Sequence, residues 1–245
     1  MARAAILGLF AAILVGCATA SSGSPSRPPN GSSGADLPTP VTTAQVHLRY
    51  VALGDSYTIG TSVSVDARWP NQLVASLAGD PIALDLTANL GVNGYTSRDV
   101  IDVELPQLEA LAPEFVTLLI GVNDVVQGVS ADTYRANVVR ILDDLVARVG
   151  AARILVVTTP DYTVTPAGAN YGDPTEASAG IRANNAILTA LATQRGIMVV
   201  DIYDISLGAA ADRSLVASDG LHPSGAQYAL WVARIELEAA GLIGP

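Results

Sequence analysis

Five short apolar runs alternate along the chain with longer stretches of helical spacing, and this alternation constrains the fold more than any other feature. The runs cover residues 46–53, 81–88, 115–120, 154–158 and 197–201. Each is short enough for a strand, and the third and fourth are apolar but for one threonine each, as strands buried on both faces are. Between and after them lie helical stretches. Trp69-Pro70 opens one that places Leu73, Val74 and Leu77 on one face. Another spans 130–149, with Val138, Ile141, Leu142, Leu145, Val146 and Val149 at helical spacing and Gly150 to stop it. A third covers 177–195, ended by Gly196, and a fourth covers 224–240, where Ala226, Leu230, Ala233 and Leu237 are expected to face the core. Strand followed by helix, repeated, makes βαβ units, so we expect an α/β protein with five parallel strands covered by helices on both faces.

Half of the 245 residues are hydrophobic but only 5% are aromatic, so the core must be built mainly from aliphatic side chains. The net charge of −10, with every basic residue an arginine, argues against nucleic acid or an anionic lipid surface as a partner. Residues 1–16 read as an export signal: Arg3 precedes an apolar run from Ala4 to Val15 that is too short for a bilayer-spanning helix, which needs about 20 residues. The run ends in Leu14-Val15-Gly16-Cys17, which resembles the lipobox of bacterial lipoproteins, with acylation expected at Cys17. Ordinary cleavage after Ala18-Thr19-Ala20, giving a secreted soluble protein, is the alternative. Cys17 is the sole cysteine, so no disulfide can form within the chain. Residues 17–45, rich in Ser, Gly, Pro and Thr, read as a tether, and 46–245 as one folded domain. The expected location is the cell envelope, with the membrane engaged through the lipid anchor.

The chemistry concentrates where the apolar runs stop. The first ends in Gly54-Asp55-Ser56. A serine there sits at the carboxyl end of a strand, where open α/β sheets place their ligands. Its hydroxyl is a weak nucleophile without a base and a site for the developing oxyanion. Of the two histidines, His222 lies in Asp219-Gly220-Leu221-His222-Pro223, and Asp219 can reach back to hold one ring nitrogen. His222 is then the candidate base for Ser56, so activity should fall on the acid side as the imidazole protonates. His47 lacks such a context and is expected on the surface. The backbone N–H of Ser56, Gly94 in the loop after the second run, and the side-chain amide of Asn123 after the third are candidate oxyanion donors. Asp55 is expected to cap locally, and Asp124 to brace the Asn123 loop. Trp69 reads as core, while Tyr57 and Ile59 suit either core or an acyl pocket. The polar stretch 160–175, with Asp161, Tyr162 and Tyr171, suits either one wall of a leaving-group site or a surface loop. No His, Cys and carboxylate cluster has metal-ligand spacing, and no dinucleotide fingerprint follows a strand, so no cofactor and no metal are indicated.

Gly54-Asp55-Ser56, Gly94, Gly121-Val122-Asn123-Asp124 and Asp219-Gly220-Leu221-His222-Pro223 resemble, in that order, the four motif blocks of the SGNH (GDSL-type) hydrolases. The resemblance runs from Val51 to about Trp231, and the segments 50–69 and 221–228 look most like the small lysophospholipase-like bacterial esterases. It implies a flavodoxin-like, three-layer α/β/α sandwich with strand order 2-1-3-4-5. It also implies Ser56, His222 and Asp219 as a catalytic triad, with Ser56, Gly94 and Asn123 forming the oxyanion hole. Gly91 competes with Gly94 for the donor role, and Gly94 is preferred because the family's donor glycine holds the later position. The implied substrate is a small-molecule or lipid ester. An acyltransferase using the same residues and a non-catalytic envelope-binding module are the alternatives, and oligomeric state is not legible.

Overall fold

A computed structural model describes residues 45–244. The segments read as signal and as most of the tether, with Cys17, lie outside the described residues. Five parallel strands form one sheet of order β2-β1-β3-β4-β5, as the resemblance implied. They are β1 (Val46–Gly54), β2 (Ile82–Asn89), β3 (Phe115–Leu119), β4 (Ile154–Val157) and β5 (Met198–Val200).

Successive side chains of a strand point to opposite faces, and here both faces are packed. From β1, Leu48, Tyr50 and Ala52 enter one core while Val51 and Leu53 enter the other. The first core is closed by α2 (Trp69–Ser76) and α9 (Gly225–Ile243), through Trp69, Leu73, Trp231 and Ile235. The second is closed by α6 (Ala131–Val149) and α7 (Pro174–Gln194), through Val138, Ile141, Leu142, Leu145 and Leu188. A hydroxyl buried in the first core is satisfied internally: Tyr50 and Thr117 share a hydrogen bond of 2.7 Å across β1 and β3.

Three segments depart from the periodicity reading. Helix α7 begins at Pro174, because Asp173 caps the N–H groups of Thr175 and Glu176 and proline suits the first turn. On α9, Leu230 and Leu237 are 48% and 72% exposed rather than buried. The helix carries two apolar stripes, and the one holding Tyr228, Trp231, Val232 and Ile235 removes more area from water. The other stripe includes Arg234, whose guanidinium pairs with Asp204 on α8 (Tyr203–Leu207). Finally, the capping box of Thr96 and Asp99 opens α3 (Ser97–Asp99), which continues as one π-helical turn (Val100–Glu104) and a 3₁₀ turn (Leu105–Gln107) before α4 (Leu108–Leu111). The π turn rotates Glu104 inward, where it is fully buried.

The chain leaves β1 for β2 on one side and crosses back to β3 on the other. Parallel strands bring their carboxyl ends to one edge, so the loops after β1 and β3 meet where the winding reverses, the usual ligand position in such sheets.

Candidate active site

A cavity of about 280 Å³ opens at this edge. Ser56, Gly94, Asn123 and His222, drawn from four separate segments of the chain, all line it. Tyr57, Asn93, Val122, Val126, Tyr162, Tyr171 and Leu221 complete its wall.

Ser56 is the first residue of α1 (Ser56–Ile59) and is 7% exposed. Asp55 precedes it as the cap, its Oδ1 accepting the N–H of Tyr57 at 2.9 Å. The corner depends on Gly54, whose φ is +151°. A Cβ there would lie 2.2 Å from the Leu119 carbonyl oxygen and 2.4 Å from the Thr58 hydroxyl oxygen. Only glycine lets β1 end this close to β3 and turn directly into a helix.

The loop after β2 packs against this corner. At Gly91 a Cβ would meet the Asp55 carbonyl oxygen and the Ile59 nitrogen, both at 2.7 Å. Gly91 is thus a packing glycine, buried beneath α1. Gly94 has φ +83° and open space around it, and it faces the cavity. The Asn123 amide donates one hydrogen to the Tyr95 carbonyl at 2.9 Å, which orients the group and leaves its second N–H for another acceptor. Asn123 sits on α5 (Val122–Val126) beside Asp124, whose carboxylate accepts from both the N–H and the hydroxyl of Ser97. Asp124 therefore braces α5 against α3.

His222 approaches from the loop before α9. Its Nδ1 lies 2.6 Å from Asp219 Oδ2. Asp219 Oδ1 accepts the N–H groups of Leu221 and His222 at 2.8 and 3.0 Å, and Oδ2 accepts the Ser62 hydroxyl at 2.7 Å. Burial opposes ionisation of this carboxyl, but the combined donors outweigh it and hold Asp219 well below the usual carboxylate range. An ionised carboxylate only accepts, so Nδ1 carries the proton and Nε2 is the nitrogen with a free lone pair. The Tyr57 ring packs edge-to-face with the imidazole, with ring centroids 5.7 Å apart.

Other expected residues sort clearly. Tyr162 and Tyr171 line the cavity, with ring centroids 6.0 Å apart, whereas Asp161 does not. Asp161 fastens its loop, accepting from Thr163, Ser178 and Tyr203, and these bonds hold its carboxyl low against the effect of burial. Trp69 is wholly buried, Ile59 does not reach the cavity, and His47 is exposed and paired with Asp85.

Glu104 has no signal in the sequence, where it reads as one polar position of an ordinary helix. Its Oε2 accepts the Gly54 N–H at 3.0 Å, directly behind the corner that carries Ser56. Its Oε1 and Asp55 Oδ2 are buried without hydrogen-bond partners among the described residues. Burial pushes Glu104 up to about 9, against the Gly54 hydrogen bond and helped by the neighbouring Asp55 charge. Burial likewise pushes Asp55 up to about 8, with Asp124 adding to the shift.

The chain belongs to the GDSL-like lipase/acylhydrolase family, which it matches over residues 52–230. It is thus a carboxylic ester hydrolase. Solved structures with the same fold include TesA, at 20% identity over 79% of this chain and 99% of that one, with a TM-score of 0.64. The lipase/acylhydrolase from Enterococcus faecalis is 20% identical over 81% of this chain and 98% of its own, with a TM-score of 0.62. A variant of Axe2, an acetyl xylan esterase from Geobacillus stearothermophilus, is 21% identical over 80% and 95%, with a TM-score of 0.62. Among curated proteins, none matches the chain.

The buried acids make stability fall with rising pH. A carboxyl that is protonated when folded and ionised when unfolded favours the folded state fully below the ordinary carboxylate range. That contribution is lost as pH climbs through the folded value, about 9 for Glu104. Glu104→Gln keeps an acceptor for Gly54 and has no proton to lose. Its melting temperature, measured from about pH 5 to about pH 9, should decline less steeply than that of the wild type. Parallel declines would show that Glu104 is ionised in the folded protein.

Proposed function

We propose that Ser56, His222 and Asp219 act as a catalytic triad that hydrolyses esters of small, uncharged acyl groups. The observation that carries this reading is the pairing of His222 Nδ1 with an ionised Asp219, at the rim of the cavity that Ser56 also lines. Ser56 Oγ attacks the ester carbonyl carbon while His222 Nε2 takes its proton. The resulting oxyanion is held by the Ser56 and Gly94 N–H groups and the Asn123 amide, and each such donor is typically worth about 10²–10³ in rate. The tetrahedral intermediate collapses, the C–O bond to the alcohol breaks, and the alcohol leaves with the proton from His222. Water, deprotonated by His222, then attacks the acyl-Ser56 ester and releases the acid by the same steps.

The cavity wall supports a neutral substrate. No carboxylate or arginine side chain is among the described residues that line it, and Val122, Val126, Leu221, Tyr162 and Tyr171 offer apolar surface. Its volume suits a short acyl chain or a small alcohol group, and the acetyl xylan esterase and lipase among the structural neighbours are consistent with that range. The Leu14-Val15-Gly16-Cys17 run supports export and anchoring through acylated Cys17.

A fluorophosphonate probe tests the nucleophile: wild type should label at Ser56 and Ser56→Ala should not label at all. Folded wild type that resists the probe would refute the triad. For the anchor, protein expressed in a bacterial host should sediment with membranes, whereas Cys17→Ser should appear in the soluble fraction. Equal distribution of the two would point to ordinary signal cleavage.

A further inference from the structure

The Asp219 carboxylate has four donors, and three of them belong to its own loop: the N–H groups of Leu221 and His222 and the His222 ring. These move with the loop and cannot fix where it sits. The fourth, the Ser62 hydroxyl at 2.7 Å from Oδ2, is the only side-chain donor among the described residues that reaches Asp219 from outside its loop. Ser62 lies just beyond α1, on the segment that carries Ser56.

That segment is tightly organised. The Ser56 carbonyl accepts the N–H groups of Gly60 and Thr61 at 3.1 and 3.0 Å, which curls the chain back beneath the nucleophile. The Thr61 hydroxyl then donates to Asn93 Oδ1, next to Gly94. Ser62 follows with φ +67°, one of two non-glycine residues at positive φ among the described residues. Glycine would fit that backbone with less strain, so the position holds a hydroxyl at a conformational cost. Oδ2 thereby receives both the Ser62 hydroxyl and the His222 ring, while the two backbone donors occupy Oδ1, and the carboxylate cannot rotate to exchange its oxygens.

We propose that Ser62 is a positioning residue: its hydroxyl ties the Asp219–His222 loop to the element bearing Ser56 and so sets the placement of the base against the nucleophile. This inference rests on the triad reading above, and it concerns a residue that acts through Asp219 without touching substrate.

A double-mutant cycle with p-nitrophenyl acetate tests it. In the wild-type background, Ser62→Gly should lower kcat by roughly tenfold, the scale of a lost hydrogen bond to a charged group, with KM changed by less than about twofold and no loss of melting temperature. Ser62→Ala, which keeps a side chain's restriction on the backbone, should lose the same factor and so separates the hydroxyl from added flexibility. In an Asp219→Ala background, Ser62→Gly should change kcat by less than about twofold, because the partner is already gone. An equal loss in both backgrounds, or no loss in either, would overturn the positioning role while leaving Ser56-dependent turnover intact. Absence of Ser56-dependent turnover in the wild type would instead overturn the triad reading, and this inference with it.

Discussion

The contact that everything else depends on is the one between the end of β1 and the end of β3, where Gly54 lies against the Leu119 carbonyl. Because no Cβ fits there, the chain can stop being a strand and become a helix within two residues. The turn places the Ser56 side chain at the sheet edge and leaves its backbone N–H in the first, unpaired turn of α1, where an anion is stabilised. The loops after β2 and β3 then close around that corner, Gly91 packing beneath α1 while Gly94 and Asn123 reach the cavity.

Carboxyl groups near this corner behave in opposite ways. Asp219, partly open to solvent and fed by four donors, stays ionised and fixes the proton on His222 Nδ1. Glu104 and Asp55, behind the corner and each with an oxygen unpaired among the described residues, are driven by burial toward the neutral form. For the proposed mechanism the separation matters: neutral acids behind Ser56 add no negative charge where the oxyanion would form, and a charged acid stands where an imidazolium would form.

Much of this was legible in the sequence because the relevant residues act locally. Asp55 caps the short helix it precedes, Asp124 braces the loop it sits in, and Asp219 reaches His222 within one turn of its own loop. Strand order needed the family resemblance, since alternation alone fixes parallelism but not sequence around the sheet. What stayed hidden depends on irregular backbone or on the competition of alternatives. Glu104 is turned inward by a π turn that no periodicity announces. Ser62 meets Asp219 only once the fold is complete, through a backbone angle unusual for serine. On α9 two apolar stripes were available, and the aromatic bulk of Tyr228 and Trp231 decided between them, with Arg234 as the overlooked sign.

The central claim is that Ser56 becomes covalently acylated during turnover. Acid-quenching the enzyme within milliseconds of mixing with p-nitrophenyl acetate, followed by intact-mass and peptide mass spectrometry, measures this directly. The account requires a single added acetyl group, about 42 Da (the mass of acetyl replacing hydrogen, the ester expected of a serine nucleophile), on the peptide containing Ser56, decaying at the rate of turnover. Hydrolysis proceeding at full rate with no adduct on that peptide would contradict it.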